Sequence, residues 1–285
     1  MPKTAGVTFH RILYNNFKAN ELLFTYGNPF PNETFINHKH CEKIKVILGH
    51  FAYGMHENIN ANINFSYITF LRSPLDRIIS EYHYLRSSPR GYPLFDREIY
   101  EKKMPLDEFV RNGLSVSVDN LMVRAVSGVG CEGIGTAFHT AKSVSKKKWK
   151  GISEEDLKLA KVNIGKYYNF VGITELFDES MLLLREKLGW KNISYKRSNI
   201  GDKKREIPNS LKEEIIDLNK WDYKLYEYCK EQFVKECDNY DVENKLDDFR
   251  KKNQHPPLLR KLSNRIYSLA KSSIRSLMIN KPNKH

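Results

Sequence analysis

The sequence predicts an α/β fold: a mainly parallel central sheet with helices on both faces, leading into a helix-rich C-terminal half. Three observations predict it. Short apolar runs at residues 44–48, 67–71 and 170–174 are bounded by turn or polar residues, as buried strands are. The segments between them carry helical spacing and are long enough for the crossovers that parallel strands require. With 285 residues, 40% hydrophobic and 12% aromatic, the chain can bury one sizeable core. Ligands of such sheets collect beyond the carboxyl ends of the strands.

The elements follow in order. Residues 8–17 read as a short helix after an opening turn. The run 44–48 ends in Gly49-His50, a strand and its exit loop. Residues 67–71 form a second strand, after which Ser73-Pro74 supplies an N-cap and a proline at the first helical position. The helix that follows sets Leu75, Ile78, Ile79, Tyr82 and Leu85 on one face, with Ser80 off that stripe. Residues 87–104, rich in Pro, Gly, Arg and Tyr, read as an exposed excursion. Residues 107–127 read as helix in two pieces broken near Gly113, and 142–151 as a basic loop. Ser153-Glu154-Glu155-Asp156 opens a helix with an acidic first turn. After the strand at 170–174, a helix over 178–188 is stopped by Gly189. Residues 210–239 are mostly helical, and His255-Pro256-Pro257 precedes a last basic helix over 258–277. The expected division is a domain over 1–245 and a basic tail with an amphipathic helix over 246–285.

Charge is unevenly placed. The net charge is +13, and residues 251–285 carry nine Lys or Arg and no acid. The body is only mildly basic, which argues against a nucleic-acid partner. The tail, with its leucines among cations, suits peripheral contact with an anionic membrane and equally suits docking on its own domain. Cys41, Cys131, Cys229 and Cys237 form no CxxC pair. Cys229 and Cys237 fall on one helix about 12 Å apart, too far to bridge. With no signal peptide in view, a cytoplasmic setting is expected; the Golgi lumen is the alternative if an N-terminal extension carries an anchor.

Two segments carry anion chemistry. In Lys3-Thr4-Ala5-Gly6-Val7-Thr8, small residues let backbone N–H groups close around an anion at a helix N-terminus, with Lys3 as a cation and two threonine hydroxyls as donors. By itself the segment also reads as a surface lysine before a capped helix. A Walker A motif is absent, which disfavours an ordinary ATPase. In the second segment Arg72 ends a strand and Ser80 lies two turns along the next helix, a fork and a hydroxyl for one phosphate. A structural ion pair and a solvated serine are the plainer reading. His50, after Gly49, has the near-neutral titration of a general base and equally that of a bonded structural histidine. His38, His40 and Cys41 match no zinc spacing and read as loop residues.

These segments also carry a resemblance. The opening PKTAGVTF and the segment ITFLRSPLDRIISEYHYLR resemble the two cofactor signatures of the carbohydrate sulfotransferases, nearest the heparan sulfate and uronyl 2-O-sulfotransferase-like group with its bacterial relatives. Ile47-Leu48-Gly49-His50-Phe51 resembles that group's Gly-His segment, and residues 170–185, FVGITELFDESMLLLR, resemble a late landmark. The resemblance spans residues 2–240. It implies a three-layer P-loop NTPase-like fold and the donor 3′-phosphoadenosine 5′-phosphosulfate, without a metal. It further implies that Lys3 to Thr8 hold the 5′-phosphosulfate, that Arg72 and Ser80 hold the 3′-phosphate, and that His50 is the base. Lys3 would assist departure of the phosphate.

The chain departs from the family pattern at two places. Val7 stands where the family usually has a hydroxyl or glycine. The phosphate loop begins at residue 2, where the family has a central strand, so the expectation is that a longer reading frame supplies it. For the acceptor, a glycan or other carbohydrate, Asn120 and Arg124 lie one helical turn apart and are the candidates, alongside Arg86 and Arg90 at the excursion. The loop 196–206 is a candidate cover for donor or acceptor. The rival expectation is a catalytically silent polyanion- or glycan-binding module on the same scaffold. The sequence leaves the oligomeric state open.

Overall fold

A computed structural model describes residues 1–24, 43–58, 64–130, 150–195 and 207–254. The loops 142–149 and 196–206, the tail helix, His38, His40, Cys41 and Cys131 lie outside the described residues.

Helix α1 (Gly6–Asn16) follows the opening turn and buries Thr8, Ile12 and Leu13. Strands β1 (Leu22–Phe24) and β2 (Val46–Leu48) pair in parallel, Leu22 opposite Val46 and Phe24 opposite Leu48. Strands β3 (Tyr67–Leu71) and β4 (Tyr168–Ile173) form a second parallel pair, with Ile68 opposite Phe170 and Leu71 opposite Ile173. The architecture is thus helix-rich α/β, but the expected single central sheet is two separate pairs among the described residues. Among the described residues no strand pairs with both β2 and β3.

Side chains of α1 join the pairs instead. Ile12 packs into the main core with Phe70, Leu71, Phe170 and Ile173, while Leu13 packs with Leu22 and Leu48. Adjacent helical positions point to different faces, so one helix serves both sheets. The Phe9 ring lies 4.9 Å from that of Phe70 and 5.8 Å from that of Trp190.

Helix α2 (Pro74–Ser87) begins with proline at its first turn, but Ser73 makes no side-chain cap. Its amide N–H donates to Glu175 Oε1 at 2.9 Å, while Thr174 Oγ1 donates to the Leu71 carbonyl at 2.8 Å. The late landmark therefore ties the end of β4 to the end of β3. Ile78, Tyr82 and Leu85 are buried as the spacing predicts.

Residues 87–104 correct the expectation of an exposed excursion. Asp96 accepts the backbone N–H groups of Arg90, Gly91 and Tyr92 at 2.7, 2.8 and 3.1 Å, closing a tight turn. Helix α3 (Pro93–Phe95) and a π-helical turn (Asp96–Glu101) then bury Phe95, Ile99 and Met104 against Ile78, Tyr82 and Phe109.

Helices α4 (Leu106–Arg111) and α5 (Leu121–Ser127) are separated by a longer break than Gly113 alone, including a 3₁₀ turn at Val116–Val118. Helix α6 (Glu154–Tyr167) starts with Ser153 and Asp156 in a reciprocal capping box. Helix α7 (Phe177–Leu188) stops at Gly189, where φ is 67°. Helices α8 (Asn209–Leu218), α9 (Lys220–Asn239) and α10 (Val242–Gln254) complete the described chain. Val242, Leu246 and Phe249 are buried in the same core as β3 and β4. The expected boundary at 245/246 consequently runs through a core helix. Burying Leu246 and Phe249 contributes about 1.5–3 kcal/mol each.

Candidate active site

The opening turn has an unusual backbone. Lys3 and Ala5 take the left-handed conformation, with φ of 63° and 60°, and neither is glycine. Such a residue costs roughly 1–2 kcal/mol. Turns of this kind draw successive N–H groups to one side and make a concavity for an anion. Ala5 is the N-cap of α1, with no side-chain cap bond, and the first turn of α1 carries no acid. The positive end of the helix dipole is left uncompensated there.

The side chains divide. Thr4 is buried and donates from Oγ1 to the Met1 carbonyl at 2.9 Å, so its hydroxyl serves the turn itself. Thr8 is buried on α1, and Val7 is exposed. A Cβ built on Gly6 would meet nothing within 4 Å, which leaves open space beside the first helical amide. The cradle is therefore the backbone of residues 3–6 with the Lys3 ammonium.

Arg72, at the carboxyl end of β3, donates from Nη1 to the Lys3 carbonyl at 3.2 Å. The two sequence segments meet. Ser80 lies half-buried on α2, two turns beyond. The Lys3 ammonium stands 4.2 Å from the centre of the Tyr84 ring, and the Arg90 guanidinium stands 3.8 Å from the same ring. Burial lowers the Lys3 pKa to about 8, with Arg72 and Arg90 pushing the same way and Glu81 opposing them. Two guanidinium groups thus bear on a partly desolvated lysine, an arrangement that an arriving anion relieves.

Beneath the cradle lies a buried polar layer. Arg77 and Glu81 are fully buried on α2, with Nη1 and Oε2 3.5 Å apart, and Arg77 Nη2 donates to the Ser117 carbonyl. Burial pulls the Arg77 pKa down, with Glu81 and Asp222 opposing that shift.

His50 follows β2 at its carboxyl end and is half-buried. Two residues on, Ala52 packs in one cluster with Met1, Val116, Leu121 and Ala125, and the Tyr53 amide donates to the Ala125 carbonyl at 2.7 Å. The segment from His50 to Tyr53 therefore passes beside the residues that lead into the cradle.

Asn120 and Arg124 are placed otherwise than expected for glycan contacts. Asn120 is buried, donates to Asp119 and the Leu218 carbonyl, and accepts the amides of Trp221 and Asp222. It fastens α5 to the junction of α8 and α9. Arg124 is fully buried and donates to the Asp119 carbonyl and carboxylate at 2.9 and 2.7 Å. Neither presents its polar groups to a sugar.

Tyr84 and Glu81 escaped the sequence reading, and Arg90 entered it only as a candidate for the acceptor. Ser80 and Tyr84 are four residues apart on α2, a spacing that sets them one turn apart on one face and could have found the tyrosine. Arg90 had no local signal for its role, since the turn closed by Asp96 carries it back over α2. A surface groove lined by Lys161, Tyr223, Lys224, Glu227, Tyr228 and Glu231 contains none of the site residues. Among the described residues no three His, Cys, Asp or Glu side chains cluster as metal ligands.

Comparison with known proteins adds one finding. The model of the sulfotransferase family matches residues 1–229. No curated protein matches the chain. The matched span runs from the opening turn through Arg72 and α2 into α9, and the chain belongs to the sulfotransferase family, enzymes that transfer a sulfuryl group.

Proposed function

We propose that the chain transfers the sulfuryl group of 3′-phosphoadenosine 5′-phosphosulfate to a carbohydrate hydroxyl on a glycan, on a three-layer P-loop-like scaffold. The observation that carries the reading is the left-handed turn at Lys3 and Ala5, placed at the N-terminus of α1 and met by Arg72. The donor bears two anionic groups, and the cations fit it. The cradle of residues 3–6 suits the 5′-phosphosulfate, and Arg72 with Ser80 suits the 3′-phosphate.

In the reaction the acceptor oxygen attacks sulfur as the bond from sulfur to the 5′-phosphate oxygen breaks. The hydroxyl proton passes to His50, imidazole being a side chain that can accept a proton near neutral pH. The leaving phosphate gains negative charge, which the Lys3 ammonium and the cradle amides stabilise. A protonated Lys3 is needed for this step, so the lysine acts best below its pKa of about 8.

Calorimetry with adenosine 3′,5′-bisphosphate, followed by transfer of labelled sulfate to a panel of glycans, tests the proposal. Saturable binding with transfer supports it. Binding without transfer to any member leaves a silent glycan- or polyanion-binding module, and no binding removes the donor assignment. The basic tail fits peripheral contact with an anionic membrane, which vesicle flotation of the full chain against a chain ending at residue 254 would test.

A further inference from the structure

Two cations share one aromatic ring at the cradle, and this is the feature that the donor reading does not use. Tyr84 is the last but three residue of α2 and is partly exposed. The Lys3 ammonium and the Arg90 guanidinium lie 4.2 and 3.8 Å from its ring centre. Arg90 is not free to leave. Its Nε and Nη2 donate to the Tyr84 carbonyl at 3.1 and 2.8 Å, and Nη2 also donates to Ser87 Oγ at 2.8 Å. Its backbone N–H is held by Asp96 at 2.7 Å. The carbonyl of Lys3 is held in turn by Arg72.

We infer that Tyr84 and Arg90 are positioning residues for Lys3: the ring holds the ammonium at the cradle, and the fixed guanidinium keeps that hold loose enough for an anion to break. A ring face attracts a cation, and a second cation near the same ring repels the first. The groups that bear on Lys3 are Glu81 and Tyr84 from α2, Arg72 from the end of β3, and Arg90 from the turn after α2. Glu81 favours the charged lysine, whereas burial and the two arginines disfavour it; a ring face at 4.2 Å favours the charged form as well. The two positioning residues thus act in opposite directions on one titration. The inference extends the donor reading, because the anion drawn to Lys3 is there taken to be the 5′-phosphosulfate.

Lys3 reactivity toward acetic anhydride as a function of pH, read peptide by peptide by mass spectrometry on the full chain, tests it without a ligand. The wild-type midpoint is expected near 8. Tyr84→Leu should move it down, equivalent to a roughly three- to thirtyfold weaker hold on the charged form. Tyr84→Phe keeps the ring and should restore the wild-type midpoint. Arg90→Gln should move the midpoint up. Simple loosening of the fold would expose the lysine and raise the midpoint in both variants, so a fall in Tyr84→Leu has no structural imitation. An unchanged or raised midpoint in Tyr84→Leu overturns the inference, as does an unchanged or lowered one in Arg90→Gln. Titrating the same proteins with adenosine 3′,5′-bisphosphate separates the two claims. Wild-type protein that fails to bind it removes the donor reading, while the labelling midpoints still decide the roles of Tyr84 and Arg90.

Discussion

Arg72 Nη1 donates to the carbonyl oxygen of Lys3 at 3.2 Å across 69 positions of sequence. One bond joins the end of β3 to the left-handed turn before α1. It spends only part of the guanidinium's five donors, leaving others for a phosphate. Arg72→Ala should weaken binding of adenosine 3′,5′-bisphosphate about ten- to a hundredfold, since a hydrogen bond to a charged group contributes about 1.5–3 kcal/mol. Arg72→Lys should restore little, because an ammonium cannot bond the carbonyl and a phosphate in the same fork. Calorimetry on the three proteins checks both statements.

The Lys3 titration sets a pH window. Its folded pKa of about 8 lies below the ordinary 10.5, so the unfolded chain holds the proton more tightly. Between those values the anion-free protein should gain stability as pH rises. Donor binding should do the opposite, falling toward a tenfold loss per pH unit above 8 as the ammonium is lost. Thermal melts and calorimetry over pH 7–10 should therefore trend in opposite directions. A common trend would show that Lys3 does not govern the anion.

His50→Ala should lower sulfate transfer by about 10²–10⁴-fold, the range of general-base catalysis, with bisphosphate affinity kept within a few-fold. Lys3→Ala should lower both, as the ammonium meets the donor before and during transfer. Transfer assays with labelled donor, run beside calorimetry, separate these effects. Full turnover in His50→Ala would remove it as the base.

Asn120 and Asp222 should register in stability rather than in acceptor affinity. The Asp222 carboxylate accepts the amides of Met122 and Val123 at 2.9 and 2.8 Å, and burial lifts its pKa to about 6. Asp222→Ala leaves two buried N–H groups unpaired and should cost about 2–5 kcal/mol. Asn120→Ala strands the amides of Trp221 and Asp222 similarly and should cost about 2–4 kcal/mol. Urea denaturation measures both losses. A raised acceptor KM at unchanged stability in Asn120→Ala would return that residue to the glycan site.

Gly172 stands where a Cβ would come within 2.4 Å of the Phe70 ring on the paired strand and 2.9 Å of the Phe170 ring. Gly172→Ala should therefore push two core rings apart and cost about 1–3 kcal/mol, as overpacking does. Gly172→Ala with Phe70→Leu should recover part of that loss, read by the same denaturation series.

Local pattern alone determined much of this protein. The opening turn before α1, the strand at residues 67–71, the proline-led helix after Arg72, the Ser153 cap and the stop at Gly189 were all legible. Each depends on residues within a turn or two of one another, where periodicity, capping and glycine conformation act. Tertiary structure decided the rest. It divided the strands into two pairs bridged by α1, folded residues 87–104 onto α2, carried α10 into the core, and buried Asn120 and Arg124 at the joint of three helices. It also brought Arg90 and Lys3 to one tyrosine ring. These outcomes rest on contacts between distant segments, whose partners are selected by the shape and polarity of the assembled core. No window of neighbouring residues encodes that choice.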